Sequence, residues 1–147
     1  MQRLLTVCVG NICRSPVAEA LLQQALPSCS VASAGISAVV GSDIDQTARA
    51  VAEANGVSLD QHRARQFTNE IGGTSDLILV LEAGHRREIA RLAPQLSGRT
   101  FLLSHWNGGQ DIPDPYRRSR DFHESVFAQI DDAVASWAKR LSANVEG

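Results

Sequence analysis

The sequence has few cysteines, almost no net charge and no long apolar run, and each shortage excludes a class of protein. Its three cysteines are too few, and odd in number, for a disulfide framework, and no Cys or His pairs recur at the spacing of a zinc site. The net charge of −2 provides no general attraction for nucleic acid. No apolar run approaches the roughly 20 residues that span a membrane, and Gly10 and Asn11 interrupt the first run too early for a signal peptide. We therefore expect a cytoplasmic protein without a metal or other cofactor, which binds no nucleic acid and does not insert into a membrane.

The chain does have the size and composition of one folded domain, 1–147. It is 44% hydrophobic and 20% charged, and it contains no repeat, linker or low-complexity tract. Apolar segments at 4–8, 30–35, 76–81 and 100–103 predict strands. Helical patterns cover 16–27, 46–55, 82–93 and 119–141, with a minor helix at 68–71. This alternation predicts a doubly wound, flavodoxin-like α/β fold, with a four-stranded parallel sheet and helices on both faces.

The most informative stretch is 8–16, which lies on the turn between the first strand and the first helix. Amide groups at a helix N-terminus, together with the helix dipole, attract an anion. Gly10 permits backbone angles that other residues resist, and Asn11 tolerates the left-handed region and can tie the loop with its amide. Arg14 supplies a planar fork of donors for two phosphoryl oxygens, and Ser15 can cap the helix. The stretch is typical of a phosphate-binding loop.

Cys8 stands at the base of this loop, where a field that binds a dianion also stabilises a thiolate. The thiolate would attack phosphorus, and Ser15 could donate a hydrogen bond to it. A buried cysteine that only packs is the competing interpretation. Cys13 is not expected to be catalytic, although it could form a reversible disulfide with Cys8 after oxidation.

An aryl leaving group needs a proton donor, and Asp114 is the candidate. It lies between two prolines on the loop after the last strand, at the edge of the sheet where the Cys8 loop is expected. On the residues alone, a plain turn is an equally good interpretation. Tyr116, two residues on, could form the wall of a site for an aromatic substrate.

Residues 7–16 resemble the signature of the low-molecular-weight protein tyrosine phosphatases, and the likeness spans nearly the whole chain. Ser33 to Gly35, His62, Ala64-Arg65, the third strand followed by Glu82, and Asp114-Pro115-Tyr116 all occur in the family's order. The chain looks closest to the bacterial branch that acts on tyrosine autokinases of capsule and exopolysaccharide export, and the features behind this likeness are His105-Trp106, residues 112–117 and Trp137.

The resemblance implies a metal-free phosphotyrosine phosphatase that forms a cysteinyl-phosphate on Cys8, with Arg14 holding the phosphoryl group and Asp114 as general acid and base. It also implies a phosphotyrosine protein, a tyrosine autokinase, as partner, and we expect a monomer. The phosphate loop would further comprise Val9, Gly10, Asn11, Ile12, Cys13 and Ser15, fastened by His62 through hydrogen bonds with Ser33 and Asn11. One departure concerns the loop after the second strand, which carries no aromatic residue, so Val39 or Val40 would provide a flatter, aliphatic wall.

Three other activities compete with this one. An arsenate reductase needs downstream cysteines, and none follows Cys29. Phosphoarginine phosphatases resemble this loop but carry Thr where this chain has Ile12, whose bulk favours a flat phenyl ring. A phosphocysteine carrier or phosphate-binding module would use Cys8 without needing Asp114. Glu82 is expected to be structural, and no role is predicted for His85.

Overall fold

The computed structural model describes residues 2–146, of which residues 143–146 are described by their backbone only. The strands are β1 (Arg3–Cys8), β2 (Ser30–Gly35), β3 (Leu77–Val80) and β4 (Thr100–Leu102). The α-helices are α1 (Arg14–Ala25), α2 (Gln46–Ala54), α3 (Asn69–Gly73), α4 (Ala83–Leu92) and α5 (Arg120–Glu146). Two short 3-10 helices, Pro94–Arg99 and Leu103–Trp106, flank β4.

The four strands form one parallel sheet in the order β2-β1-β3-β4. β1 is therefore an inner strand, and Cys8 at its carboxyl end pairs with Gly35 at the end of β2. This is the predicted α/β fold, and it is confirmed. It places the loop after β1 between the loops that follow β2 and β3, where ligands bind in sheets of this type.

Successive residues of the inner strands pack on opposite faces of the sheet. Leu4 and Leu79 belong to the core that contains residues of α1, α2 and α5. Leu5 and Ile78 belong to a smaller core that includes Ile89 of α4. Because both faces are covered, the strands are apolar without strict alternation, as expected for a parallel sheet.

The long helix α5 covers the larger core and continues five residues beyond its predicted end at Leu141. Its Trp137 donates a 2.8 Å hydrogen bond from Nε1 to the carbonyl oxygen of Leu103, which fixes the helix to the segment after β4. Among the helices within residues 2–146, none is both long and apolar enough to cross a membrane.

The start of α1 differs from the prediction. Cys13, not Ser15, is the N-cap residue, and it makes no side-chain capping bond. Ser15 lies inside the first turn because its hydroxyl is used by the loop, where it bonds Asn11 and Cys8. Pro16 is tolerated because the first turn of a helix leaves its N–H groups unpaired in any case.

Candidate active site

A cavity of about 240 Å³ opens at the carboxyl edge of the sheet, and Cys8, Arg14 and Asp114 all line it. The rest of its lining comprises Val9, Gly10, Ile12, Cys13, Ser37, Val39 and Tyr116. The structure thus brings together the three residues predicted to carry the chemistry, although Asp114 lies 106 positions after Cys8 in the sequence.

The carbonyl groups of residues 8–12 all accept hydrogen bonds from neighbouring segments. Four of the bonds come from backbone N–H groups: Ile36 donates to Cys8 O at 2.9 Å, Ser37 to Val9 O at 3.0 Å, Val39 to Gly10 O at 3.1 Å and Asp45 to Ile12 O at 2.9 Å. The fifth comes from a side chain, in which His62 Nε2 donates to Asn11 O at 2.6 Å. A trans peptide points its C=O and its N–H in opposite directions. The N–H groups of residues 9–13 therefore face away from these donors, towards the cavity, and form a ring of amides that suits an anion.

Asn11 holds the loop together from the inside. It is fully buried, and its backbone φ of 60° lies in the left-handed region, which asparagine tolerates better than most residues. Its amide donates to Ser15 Oγ at 2.8 Å and to Ser33 Oγ at 2.9 Å, and its Oδ1 accepts from the backbone N–H of Arg65 at 2.9 Å. His62 reaches the same residue through the Asn11 carbonyl, but among the described contacts it does not bond Ser33 directly. These contacts fix the shape of the loop at a single buried residue.

Gly35 lets β2 approach the loop closely. A Cβ atom at this position would lie 2.3 Å from the carbonyl oxygen of Val9 and 3.1 Å from the Cβ of Asn11. Both distances are below ordinary contact, and the first involves backbone that cannot easily move. Only glycine therefore fits here.

The sulfur of Cys8 lies 2.9 Å from Ser15 Oγ. Since Ser15 Oγ already accepts a hydrogen bond from Asn11, its own proton is free to point at the sulfur. Cys8 is only 3% exposed, yet it lines the cavity at the start of the α1 dipole. The sulfur is thus held at the base of the cavity, beside a hydroxyl group and at the start of α1.

Arg14 is almost fully buried, at 2% exposure, and its guanidinium is anchored from behind. Nη1 donates to Glu82 Oε2 at 2.5 Å and to the carbonyl oxygen of Ile112 at 2.7 Å. Nε is also buried, and it has no hydrogen-bond partner within the described part of the chain. This guanidinium is fixed on one side and keeps an unpaired donor, an arrangement that suits the binding of an oxyanion.

Asp114 lies on the exposed loop that follows the second 3-10 helix. Its Oδ1 accepts a hydrogen bond from the backbone N–H of Tyr116 at 3.0 Å, which orients the carboxyl group. Tyr116 is 44% exposed at the mouth of the cavity, and the guanidinium of Arg117 lies 5.3 Å from its ring centroid. The loop therefore presents an acid and an aromatic face to the same opening.

Of the three remaining predicted residues, Cys13 and Val39 line the cavity and Val40 does not. Cys13 lines the cavity, and burial, with a smaller contribution from the Asp45 carboxylate, raises the pKa of its thiol far above the ordinary value. Val39 lines the cavity and is half exposed, but Val40, predicted as the alternative wall, is 69% exposed and lies outside the lining. Of the two valines predicted as an aliphatic wall, Val39 alone lines the cavity.

Three features of the site were missed by the sequence reasoning: Glu82 as the partner of Arg14, the carbonyl of Ile112, and the close approach at Gly35. Glu82 had a usable signal, because it follows β3 at the same edge of the sheet as Cys8. The carbonyl of Ile112 had none, since any residue type can offer it.

Comparison with known proteins agrees with this geometry. A family model described as low molecular weight phosphotyrosine protein phosphatase matches residues 3–146. The low molecular weight protein-tyrosine-phosphatase Etp of Escherichia coli K12 is 45% identical over 139 residues, which are 95% of this chain and 94% of that protein.

The chain also superposes on solved structures of tyrosine phosphatases. The tyrosine phosphatase AmsI of Erwinia amylovora superposes with a TM-score of 0.92 at 45% identity, covering 95% of this chain and 92% of that one. The tyrosine phosphatase Wzb of Escherichia coli K30, solved in complex with sulphate, gives a TM-score of 0.94 at 43% identity, covering 95% and 98%. This chain therefore belongs to the low molecular weight phosphotyrosine protein phosphatase family, and it is a protein-tyrosine-phosphatase.

Proposed function

We propose that Cys8 is the nucleophile, Arg14 the phosphoryl-holding residue and Asp114 the general acid and base. The observation that carries this assignment is that all three line one cavity. The Cys8 thiolate attacks phosphorus and forms an S–P bond, while the bond from phosphorus to the tyrosine oxygen breaks. The electron pair leaves on that oxygen, which takes the proton of Asp114.

Hydrolysis of the cysteinyl-phosphate reverses these roles. The Asp114 carboxylate removes a proton from water, the water oxygen bonds to phosphorus, and the S–P bond breaks to restore the thiolate. Ser15 stabilises the departing sulfur through its hydroxyl, and Arg14 and the loop amides hold the phosphoryl oxygens in both steps. Val9, Gly10, Ile12 and Cys13 shape this cradle, and Asn11, Ser33 and His62 keep it in place.

The substrate class follows from the mouth of the cavity. Tyr116 and Val39 form two walls around a slot that suits a phenyl ring, and Ile12 adds apolar surface at its base. We infer that the protein partner is a phosphorylated bacterial tyrosine autokinase of polysaccharide production, in the cytoplasm, and that the enzyme acts as a monomer. The likeness to the bacterial branch and the 45% identity to Etp support this partner.

The roles are tested by turnover of a phosphotyrosine peptide across pH. Cys8→Ser should lose at least about a thousandfold in kcat. Asp114→Asn should lose about a hundredfold or more in kcat, because an amide cannot give a proton to the leaving oxygen. Asp131→Asn is the control, because this exposed carboxylate on α5 does not line the cavity. Its activity should stay within about threefold of wild type, as for residues that do not contact the reacting groups.

Two arms distinguish the competing activities. Turnover that is unchanged in Asp114→Asn would contradict the general-acid role and favour a phosphocysteine carrier. Faster turnover of a phosphoarginine peptide than of the matched phosphotyrosine peptide would overturn the substrate class. Wild-type hydrolysis should also survive a metal chelator.

A further inference from the structure

His85 occupies an unusual position behind the cavity. It lies in the first turn of α4 and is only 6% exposed. Its Nε2 is 3.4 Å from Glu82 Oε2, the same oxygen that accepts the 2.5 Å hydrogen bond from Arg14. Its Nδ1 is buried without a hydrogen-bond partner among the residues that the structure describes. A buried imidazole with an unsatisfied nitrogen costs stability, so packing alone does not explain this residue.

The charge state of His85 is set by its surroundings. Burial lowers its pKa from the ordinary 6.5, and the Arg14 guanidinium lowers it further. The carboxylates of Glu82, Asp111 and Asp114 oppose this shift to a smaller extent. The ring is therefore neutral at pH 7 and carries one proton, which is best used on Nε2, the nitrogen that faces a carboxylate.

Glu82 needs such a partner because it is not held by burial. Its side chain is 32% exposed, whereas that of Arg14 is 2% exposed. A free carboxylate could rotate towards solvent and leave the Ile112 carbonyl as the guanidinium's one remaining partner among the described contacts. A fixed N–H behind the carboxylate prevents this, in the way that outer-shell groups orient functional side chains in other sites.

We propose that His85 is a positioning residue, which holds the Glu82 carboxylate through Nε2–H so that Glu82 orients the Arg14 guanidinium towards the phosphoryl group. His85 touches neither the substrate nor the reacting atoms. The proposal rests on the role given to Arg14 above.

The test compares two substitutions of similar length and shape, of which one keeps a hydrogen-bond donor near Glu82 and the other does not. In His85→Gln, the amide nitrogen takes the place of Nε2 and keeps a donor, whereas His85→Met keeps the volume without it. We expect kcat/KM for p-nitrophenyl phosphate to fall about tenfold in His85→Met and less than about twofold in His85→Gln. The inhibition constant of inorganic sulphate should rise in parallel, because the same guanidinium binds it. Equal activity in the two variants would overturn the proposal.

A double-mutant cycle shows whether the effect passes through Glu82. In a Glu82→Gln background, His85→Met should cost less than about twofold, because its partner is already changed. A tenfold loss in both backgrounds would overturn the proposal. Thermal unfolding of each variant identifies any loss that comes from misfolding. A failure here with intact Cys8 and Asp114 effects would leave the proposed function standing.

Discussion

Arg14 donates a 2.7 Å hydrogen bond to the carbonyl oxygen of Ile112, two residues before the aspartate that faces the same cavity. One side chain of the phosphate loop thus also anchors the base of the Asp114 loop. The contact joins segments 98 residues apart, and it is buried. The guanidinium therefore has a structural role in addition to the one proposed for it in holding the phosphoryl group.

The first prediction concerns Arg14→Lys. Lysine keeps the charge but has a single nitrogen, which cannot reach Glu82, Ile112 and an oxyanion together. We expect kcat/KM for a phosphotyrosine peptide to fall about a hundredfold or more, as when a fixed oxyanion donor is lost. Arg91→Lys, in an exposed pair with Glu88, is the control and should leave it unchanged. A loss of less than tenfold in Arg14→Lys would show that charge alone suffices.

Gly35→Ala should be strongly destabilising. The new Cβ would lie 2.3 Å from the Val9 carbonyl oxygen, so the loop must move or β2 must shift. We expect a loss of about 2 kcal/mol or more in the free energy of unfolding, measured with denaturant. Gly73→Ala, where a Cβ meets nothing within 4 Å, should change it by less than about 0.5 kcal/mol. Similar values for the two variants would contradict this account of the loop.

The two tryptophans offer a matched pair for stability. Trp137 is 5% exposed and donates a buried hydrogen bond to Leu103, whereas Trp106 is 42% exposed. Trp137→Phe removes this buried hydrogen bond and should cost about 1–3 kcal/mol, and Trp106→Phe should cost less than about 0.5 kcal/mol. Chemical denaturation of both variants measures the difference, and equal costs would refute the role of the Leu103 bond.

Cys13 should react slowly with alkylating reagents although it lines the cavity. Burial raises the pKa of its thiol above the ordinary 9.0, so the reactive thiolate is scarce at neutral pH. In Cys8→Ser, iodoacetamide should modify Cys13 at pH 8 more slowly than a free cysteine, as followed by mass spectrometry. Rapid modification at pH 8, with the fold intact, would contradict this.

The pH dependence of stability should reveal the lowered pKa of His85. Burial lowers its pKa, so between that value and the ordinary 6.5 the unfolded chain binds more protons than the folded one. Stability is therefore lost as the pH falls below 6.5. The midpoint of thermal unfolding should fall between about pH 7 and pH 5.5 in the wild type, and it should fall less in His85→Gln. His105→Gln, at an exposed position, is the control variant. An equal fall of the midpoint in the wild type and in His85→Gln would contradict the lowered pKa of His85.

The residues of the phosphate loop could be predicted from the sequence more directly than the side chains that reach the loop from distant segments. Cys8 and Arg14 could be predicted because they flank a short turn, with Gly10 and Asn11 inside it, between a strand and a helix. The prediction of Asp114 depended on the family resemblance, since a plain turn explained the residues alone equally well. Ser15 was misread as a helix cap because its sequence position fits one, while its hydroxyl is used by Asn11 and Cys8. The partnership of Glu82 with Arg14 depends on side-chain packing across β1 and β3, which no local pattern records.

The outward bonding of the carbonyls of residues 8–12 has a consequence for how such an enzyme changes over time. The cradle is specified mainly by backbone groups and by buried side chains such as Asn11, whereas Val39 and Tyr116 at the rim are largely exposed. We therefore expect substitutions at the rim to change which peptides fit while the hydrogen bonds of the loop stay in place. Changes in peptide preference should arise at the rim more readily than in the loop.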